Sequence, residues 1–444
     1  MSTGMSTTAI GIDFGTTNSS IARAHASGEV EMCHYSSQGG VTESYRSLLY
    51  LEEVRERGAK RIKSWTGPEG IEQYLAAETK GRLVQSLKSF LSSRSLVSTD
   101  VFGRRLKFEE LIVRILRDLR EKAEAQFGEK IDRVVAGRPV RFVGAEKDED
   151  DAFAENRLRD AFRLAGYEHV EFELEPVAAA HFYEATLDHD ELILIGDFGG
   201  GTSDFSLLHV GPGVLKRGRQ PGDLLGNSGL GLAGDAFDAK IVRHLVSPAL
   251  GKGSGAESFG KILPAVPNWV YSKLERWHHL SFLRSGAVMT MLNSAKVQAL
   301  EPQKIDALIH LIREDLGYHL HRSVQKLKCD LSERIAAEFR FSDGYLDLVS
   351  AVERADFEEW IAEDLARIES TVDGLLTTSG VSPRDVDRVF LTGGSSFVPA
   401  VRRIFHSRFG GARIRAGNEF TSVARGLSLK ALAAQQAEAG RPAD

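Results

Sequence analysis

The chain has 444 residues, of which 42% are hydrophobic and 27% are charged, and its formal net charge is −6 at pH 7. This length exceeds what a single hydrophobic core supports, so at least two core units are expected, and the composition excludes a disordered or fibrous protein. The acidic balance offers no basic surface that could displace counterions from phosphates, which argues against nucleic acid as a partner.

The chain shows no signal for a membrane or for secretion. It contains no apolar run of about eighteen residues, and its start lacks the order of charged, apolar and small residues found in signal peptides. Only two cysteines are present, Cys33 and Cys329, and they lie far apart in sequence. We therefore expect a cytoplasmic, monomeric protein that neither spans nor is anchored to a membrane.

The first predicted element is an apolar strand that ends at Asp13 and runs into Phe14-Gly15-Thr16-Thr17, with a second strand at residues 20–23. A very similar strand ends at Asp197 and runs into Phe-Gly-Gly-Gly-Thr202, with a second strand at residues 205–210. This two-copy repeat predicts two related lobes whose equivalent turns face one another across a cleft.

The other elements follow from hydrophobic periodicity and from glycine and proline positions. An acidic run at residues 146–151 favours a solvated loop leading into a helix over a metal site. We predict helices at residues 108–127, 156–165, 324–332 and 357–376, strands at 134–135 and 388–392, a glycine-rich loop at 222–234, a helix beginning at Pro399, and a disordered polar tail from Gln435.

The order of these elements predicts the domain organisation. Lobe I covers residues 9–190, with an inserted subdomain at about 41–107. Lobe II covers residues 191–434, with its core at 191–228 and about 352–434, an inserted subdomain at about 229–351, and a polar tail at 435–444.

Three glycine-rich turns follow predicted strands, and together they indicate a phosphate site. One such turn alone is as consistent with a structural role, because tight turns need glycine for positive φ. Backbone N–H groups in these turns can bind phosphate oxygens, and the hydroxyls of Thr16, Thr17 and Thr202 can add donors. The three turns therefore predict a polyphosphate cradle.

Asp13, Asp197 and Asp204 would add several carboxylates to an anionic ligand. Such an arrangement is repulsive unless a cation lies between them, and Mg²⁺ is typically shared by a few carboxylates and the substrate phosphates. The alternative is that each aspartate only bonds turn amides, as Asp commonly does. The repeat of Asp-Phe-Gly followed by hydroxyls favours the metal site.

Taken together, these motifs resemble those of the DnaK-type heat-shock chaperone family, also called heat shock protein 70. GIDFGTTNS at residues 11–19 is similar to the first phosphate motif of that family, and DFGGGTSDFS at 197–206 to the second. The further similar segments are LTGGSSFVP at 391–399 (adenosine motif), EPVAAA at 175–180 (interlobe helix) and AGRPV at 136–140 (strand end with the lobe-switching proline).

The resemblance implies an α/β, actin-like ATPase fold made of duplicated ribonuclease H-like domains, with two lobes around a nucleotide cleft. It also implies a short, YegD-like form without the peptide-binding domain. Because an unfolded client needs an apolar groove, we expect the isolated chain to bind ATP without protecting a denatured client from aggregation.

The resemblance assigns roles at the phosphate end of the site. Glu175 matches the glutamate near the γ-phosphate and the attacking water, and Lys88 matches the catalytic lysine, although Lys88 is equally compatible with an exposed helix lysine. Asp13, Asp197 and Thr202 complete the catalytic set. The phosphate-binding residues would be Gly15, Thr16, Thr17, Asn18, Gly199, Gly200, Gly201 and Thr202.

At the nucleoside end, the residues that match the family are Gln325, Lys328, Ser332, Gly393, Gly394, Ser395 and Phe397. Spacing alone also fits an ordinary amphipathic helix around Lys328. Cys329 and Phe397 stand where the family usually has arginines, which puts the adenine contacts in doubt. Phe397 would either contact the adenine or anchor the following helix in the core.

The resemblance predicts a slow ATP hydrolase that acts as a nucleotide-dependent switch, with ATP or ADP and Mg²⁺ as ligands and K⁺ as a further candidate. A co-chaperone or other protein partner could bind in response to the lobe movement, for example through residues 245–320. This segment carries four large aromatic residues, Trp269, Tyr271, Trp277 and Phe282. The same aromatics also fit a hydrophobic core of the insertion itself. The alternatives are an actin-like filament-forming ATPase and a small-molecule kinase of the same fold.

Overall fold

The computed structural model describes residues 9–37, 40–56, 59–77, 81–184, 187–258, 261–276, 280–416 and 422–439. The chain divides into two compact units. The first unit comprises Met1–Ala233, Ile368–Ser396 and Arg402–Asp444, and the second comprises Gly234–Arg367 and Phe397–Val401. The predicted core of lobe I lies in the first unit, as does that of lobe II apart from residues 352–367 and 397–401. Most of the subdomain predicted at residues 229–351 lies in the second unit.

The chain forms both strands and helices, often in runs of one kind. The strands are β1 (Ala9–Phe14), β2 (Asn18–Ala24), β3 (Val30–Met32), β4 (Tyr35–Ser37), β5 (Gly40–Thr42), β6 (Tyr45–Arg46), β7 (Leu48–Glu56), β8 (Ala59–Thr66), β9 (Arg82–Gln85), β10 (Ser98–Val101), β11 (Arg104–Lys107), β12 (Arg133–Arg138), β13 (His169–Leu174), β14 (Glu191–Phe198), β15 (Ser203–Val210), β16 (Leu224–Leu230), β17 (Gly255–Ser258), β18 (Lys261–Pro264), β19 (Ala336–Ser342), β20 (Asp347–Glu353), β21 (Arg388–Thr392) and β22 (Ile414–Ala416). The helices are α1 (Gly67–Ala76), α2 (Phe108–Phe127), α3 (Asp148–Leu164), α4 (Glu175–Glu184), α5 (Pro212–Arg217), α6 (Gly234–Ile241), α7 (Ser247–Ala249), α8 (Asn268–Leu274), α9 (Leu280–Leu283), α10 (Gly286–Gln298), α11 (Pro302–Arg313), α12 (Gly317–Glu333), α13 (Arg354–Trp360), α14 (Ala362–Thr378), α15 (Pro399–Phe409) and α16 (Ser422–Ala439).

The two main sheets of the first unit have the same topology. One has the order β13-β12-β1-β2-β3 and the other the order β22-β21-β14-β15-β16. In each sheet the central strand pairs in parallel with one neighbour and in antiparallel with the next strand in sequence. The structure therefore confirms the predicted internal repeat and the duplicated, actin-like fold class.

The register places the repeated aspartates at equivalent positions. Asp13 on β1 pairs with Ser20 on β2, and Asp197 on β14 pairs with Asp204 on β15. Both central strands are almost fully buried, because helices cover both faces of such sheets. Each aspartate thus lies near the end of a buried, apolar central strand.

Helices α4 and α16 pack closely in the space between the two sheets. A Cβ atom at Gly11 would overlap the backbone of α16, and one at Gly426 would overlap the carbonyl of Ala178 on α4. The small residues at these crossings allow close backbone approach. A single buried apolar cluster there includes residues of both sheets, among them Val135 and Ile193.

Several predicted elements are confirmed and four need correction. The predicted helix 108–127 and strand 388–392 are α2 and β21, and Pro399 begins α15. Most of the acidic run predicted as a loop instead forms the first turn of α3, from Asp148 to Asp151. The predicted loop 222–234 is wrong, because β16 lies inside it and pairs with β15. The helix predicted at 357–376 is broken at Ile361, and α16 continues through Gln435 to Ala439; residues 440–444 lie outside the described part.

The second unit contains α6 to α13 with two hairpins, β17–β18 and β19–β20. Tyr271 is buried there and its hydroxyl donates to the Leu250 carbonyl over 3.0 Å, whereas Trp269 is 46% exposed. Trp277 and the side chain of Phe282 lie outside the described residues. Tyr271 therefore belongs to the core of this unit.

None of the described helices combines the length and the apolar character that crossing a membrane requires.

Candidate functional site

The first two glycine turns lie beside one another in the first unit. At Gly15 the turn is so tight that an added Cβ would overlap the Asn18 carbonyl. At Gly201 an added Cβ would lie 3.5 Å from Thr16 Oγ1 and 3.2 Å from Ser89 Oγ. The predicted pair of facing turns is therefore present, with hydroxyl groups between them.

Hydrogen bonds fix the remaining phosphate-site candidates. The Gly199 N–H donates to the Thr202 carbonyl over 2.9 Å, which closes the turn containing Gly200. The Thr17 carbonyl accepts the Ser47 N–H at 2.9 Å, and Asn18 Oδ1 accepts from Arg46. These bonds hold both turns on rigid strands, and Thr16 and Thr17 remain partly exposed.

Lys88 and Glu175 form a buried ion pair, although 87 residues separate them in sequence. Lys88 is 6% exposed and Glu175 7% exposed. Burial lowers the pKa of Lys88, but the carboxylates of Glu175 and Asp13 raise it by more, so its net shift is upward. Lys88 is therefore a charged group inside the site and not an exposed helix lysine.

The aspartates add negative charge around this pair. Burial, and then the charge of Glu175, raises the pKa of Asp13 to about 8. The same two causes, in the same order, raise the pKa of Asp197 to about 6. Carboxylates that resist ionisation for these reasons would be stabilised by a nearby cation.

The chemistry of these donors fits a hydrated magnesium ion. Asp13 and Asp197 are partly exposed and provide the oxygen ligands that Mg²⁺ prefers. Within the described residues, no three His, Cys, Asp or Glu side chains converge closely enough to hold a metal by themselves. A protein-bound magnesium ion usually keeps several waters and is shared between one or two carboxylates and the substrate phosphates.

Asp204 has protein partners of its own. Its Oδ1 accepts the Val140 N–H at 2.9 Å and the Arg141 N–H at 3.4 Å, and its carboxylate also accepts from Thr202. Burial, and then the charge of Glu175, raises its pKa well above the usual range. Asp204 thus connects β15 to the segment that follows Pro139. The sequence predicted Asp204 as a metal ligand and did not predict this contact.

The candidates for nucleoside binding are divided between the two units. In the first unit, Gly393 has φ +81° and lies against the backbone of Phe198, so only glycine fits there, and Ser395 is buried in the short helical turn Gly394–Phe397. In the second unit, Phe397 is 46% exposed. This exposure argues against Phe397 as a core anchor.

Gln325, Lys328 and Ser332 lie on one face of α12, at spacings of three and four residues. Lys328 Nζ is 2.6 Å from Asp238 Oδ1 and 3.2 Å from the Gly234 carbonyl, and Ser332 Oγ donates to the Lys328 carbonyl. Lys328 is therefore tied to the start of α6, so only part of its donor capacity remains for a ligand.

Sequence reasoning missed several residues that support the site. Thr392 Oγ1 lies 2.6 Å from Asp197 Oδ1, and its place directly before Gly393 could have suggested a role. Asp238 had no sequence signal, because its partner Lys328 is distant in the chain.

Comparisons with known proteins agree with this geometry. A profile of the family described as Hsp70 protein matches residues 61–255 and 304–439, which is more than half of the chain. The chaperone protein DnaK of Thermus thermophilus is 27% identical over 432 residues, covering 95% of this chain and 60% of the relative. DnaK of a second strain of the same organism gives the same identity and coverage. The chain thus spans about 60% of the length of these curated relatives, and it belongs to the Hsp70 family.

Proposed function

We propose that the chain binds ATP with Mg²⁺ between its two facing glycine turns and hydrolyses it slowly. The observation that carries this proposal is the buried Lys88–Glu175 pair, which lies among Asp13, Asp197 and Asp204. Anion-binding turns, carboxylates for a cation, a buried lysine and a carboxylate base are the groups that phosphoryl transfer to water requires.

Each group has a distinct task in this proposal. Bound Mg²⁺ would neutralise charge on the phosphates. Glu175 orients the attacking water and accepts its proton, and Lys88 stabilises the charge that develops on the transferred phosphoryl group. Asp13 and Asp197 hold the hydrated cation, while Thr16, Thr17, Thr202 and the glycine N–H groups bind phosphate oxygens.

The relatives named DnaK are chaperone proteins, and this likeness supports a chaperone-like role in which ATP and ADP favour different lobe arrangements. The Asp204 bonds to Val140 and Arg141 connect the second phosphate turn to the neighbouring lobe, so they provide a route for such a change. A protein partner or co-chaperone would bind one lobe arrangement in preference to the other. A cytoplasmic location and a monomeric state stay predictions.

The Asp13→Ala and Asp197→Ala variants test the cation site. We expect each to lower ATP turnover at least about a hundredfold and to reduce its response to Mg²⁺, because a metal anchor used in the transition state is lost. Phosphate release is measured across a magnesium titration, with Asp160→Ala on the exposed face of α3 as the control. Wild-type turnover and magnesium response in both variants would exclude the proposed site.

The Phe397→Ala variant tests the adenine contact. We expect ATP affinity to fall about fivefold, because an aromatic contact is worth about 1 kcal/mol. The melting temperature should change little, since the side chain is half exposed. Titrations with ATP and GTP are compared with Tyr345→Ala as the control. Unchanged affinities combined with a lowered melting temperature would reject the nucleotide role.

A further inference from the structure

The segment that follows Lys88 is held by one buried arginine. Lys88 lies in the short helical turn Leu87–Phe90, and the residues from Leu91 to the start of β10 have no regular structure. Arg157 on α3 is 8% exposed and contacts this segment through its guanidinium group. Its Nη1 donates to the carbonyls of Leu91 at 3.1 Å and Ser93 at 3.0 Å, and its Nη2 to that of Leu96 at 2.9 Å.

The charge of Arg157 is balanced locally. Its Nε donates to Glu109 Oε1 over 2.6 Å, and its guanidinium lies 4.4 Å from the centre of the Phe108 ring. A planar guanidinium holds five donors in a fixed fork, so it can satisfy several carbonyls and a carboxylate at once, whereas a lysine ammonium has only three donors. Without it, the buried Leu91 carbonyl and the part-buried carbonyls of Ser93 and Leu96 would lose this partner at a cost in free energy.

The turn before Lys88 needs such support. Ser86 has φ +55°, a left-handed conformation that non-glycine residues seldom adopt and that persists only where the surrounding structure enforces it. Lys88 is the second residue after this strained position, and its ammonium must meet Glu175. A small shift of the turn would therefore displace the ammonium.

Helix α3 also fixes the opposite side of the site. Asp151 Oδ1 accepts the Phe142 N–H at 2.7 Å, and the neighbouring Val143 carbonyl accepts from Ser92 Oγ at 2.5 Å. An added Cβ at Gly201 would lie 3.0 Å from Val143 Cγ2. The Lys88 segment and the second phosphate turn are thus aligned through a common helix.

From these contacts we infer that Arg157 is a positioning residue for ATP hydrolysis, which acts by holding the Lys88 turn so that the lysine ammonium reaches Glu175 and the phosphoryl group. The inference rests on the proposed function. It requires that the effect of Arg157 on turnover passes through Lys88, whereas a residue that only stabilises the fold would act independently of Lys88.

A double-mutant cycle separates these two roles. Single-turnover hydrolysis of γ-labelled ATP and the Kd for ADP are measured for wild type, Arg157→Met, Lys88→Met and the double variant. We expect Arg157→Met to lower turnover about tenfold with the ADP Kd within about twofold. Arg157→Met should add no further loss of turnover in the Lys88→Met background.

Arg159→Met is the matched control, because Arg159 lies on the same helix and bonds a glutamate and a carbonyl, but the carbonyl belongs to Val170 on β13. Arg157→Lys keeps the positive charge beside Glu109 and replaces Arg157→Met in the test if the methionine variant does not fold. We expect its turnover to be about threefold below that of wild type. The inference is overturned if either Arg157 variant changes turnover no more than Arg159→Met, or if the double variant loses another tenfold. Wild-type turnover in Lys88→Met would remove the catalytic role of Lys88 and the inference with it, whereas the absence of hydrolysis by the wild type would refute the proposed function itself.

Discussion

Replacing Glu175 with glutamine should slow ATP hydrolysis at least about a hundredfold while ATP affinity stays within about threefold. The amide keeps the shape of the side chain but cannot accept the proton of the attacking water. The site should remain folded, because Lys88 still has the Asp13 carboxylate as a neighbouring countercharge. Single-turnover hydrolysis and equilibrium binding of ATP, measured on the same preparation, check both parts.

Glu168→Gln is a suitable control, because Glu168 is 65% exposed and lies at the opposite end of β13 from Glu175. It should leave turnover and affinity unchanged. If Glu175→Gln weakened binding and hydrolysis by equal factors, Glu175 would have a structural role and not a part in the chemical step.

Replacing Lys88 with methionine should have an effect of similar size, lowering turnover at least about a hundredfold, which corresponds to about 2.7 kcal/mol of transition-state stabilisation. The buried ammonium is paired with Glu175, and a preorganised charge in a site that excludes water has a large effect on a developing anion. Phosphate release and the melting temperature are measured together, so that loss of activity can be distinguished from unfolding.

Lys326→Met on α12 controls for the loss of a lysine, because its side chain is 75% exposed. We expect wild-type turnover from it. Turnover of Lys88→Met within a few-fold of wild type would show that the buried lysine only balances the charge of Glu175 and Asp13.

The fold could be predicted where hydrophobic periodicity was strong. The repeated strand, aspartate and glycine turn identified β1 and β14, and helical periodicity gave the bounds of α2. The glycine-rich sequence of β16 favoured a loop, and only pairing with β15 makes it a strand. The residues of α16 after Gln435 are polar, but alanine, glutamine and glutamate favour helix, and Glu438 is paired with Arg133.

The site could be predicted only in part. Motif residues such as Asp13 and Gly201 were found from sequence, because their chemistry depends on local turns. The long-range pairings were not found, since the Lys88–Glu175 pair, the Lys328–Asp238 pair and the bonds from Arg157 to three backbone carbonyls join residues 61 to 90 positions apart. Such pairs are decided by how the elements pack, and no periodicity reports them.

The most direct test of the central claim is product analysis after incubating the purified wild-type chain with γ-labelled ATP, with and without Mg²⁺. We predict slow release of the label as inorganic phosphate, dependent on Mg²⁺, with one ADP formed for each phosphate. No release under either condition, or transfer of the label to another molecule instead of water, would contradict the proposed ATP-hydrolysing site.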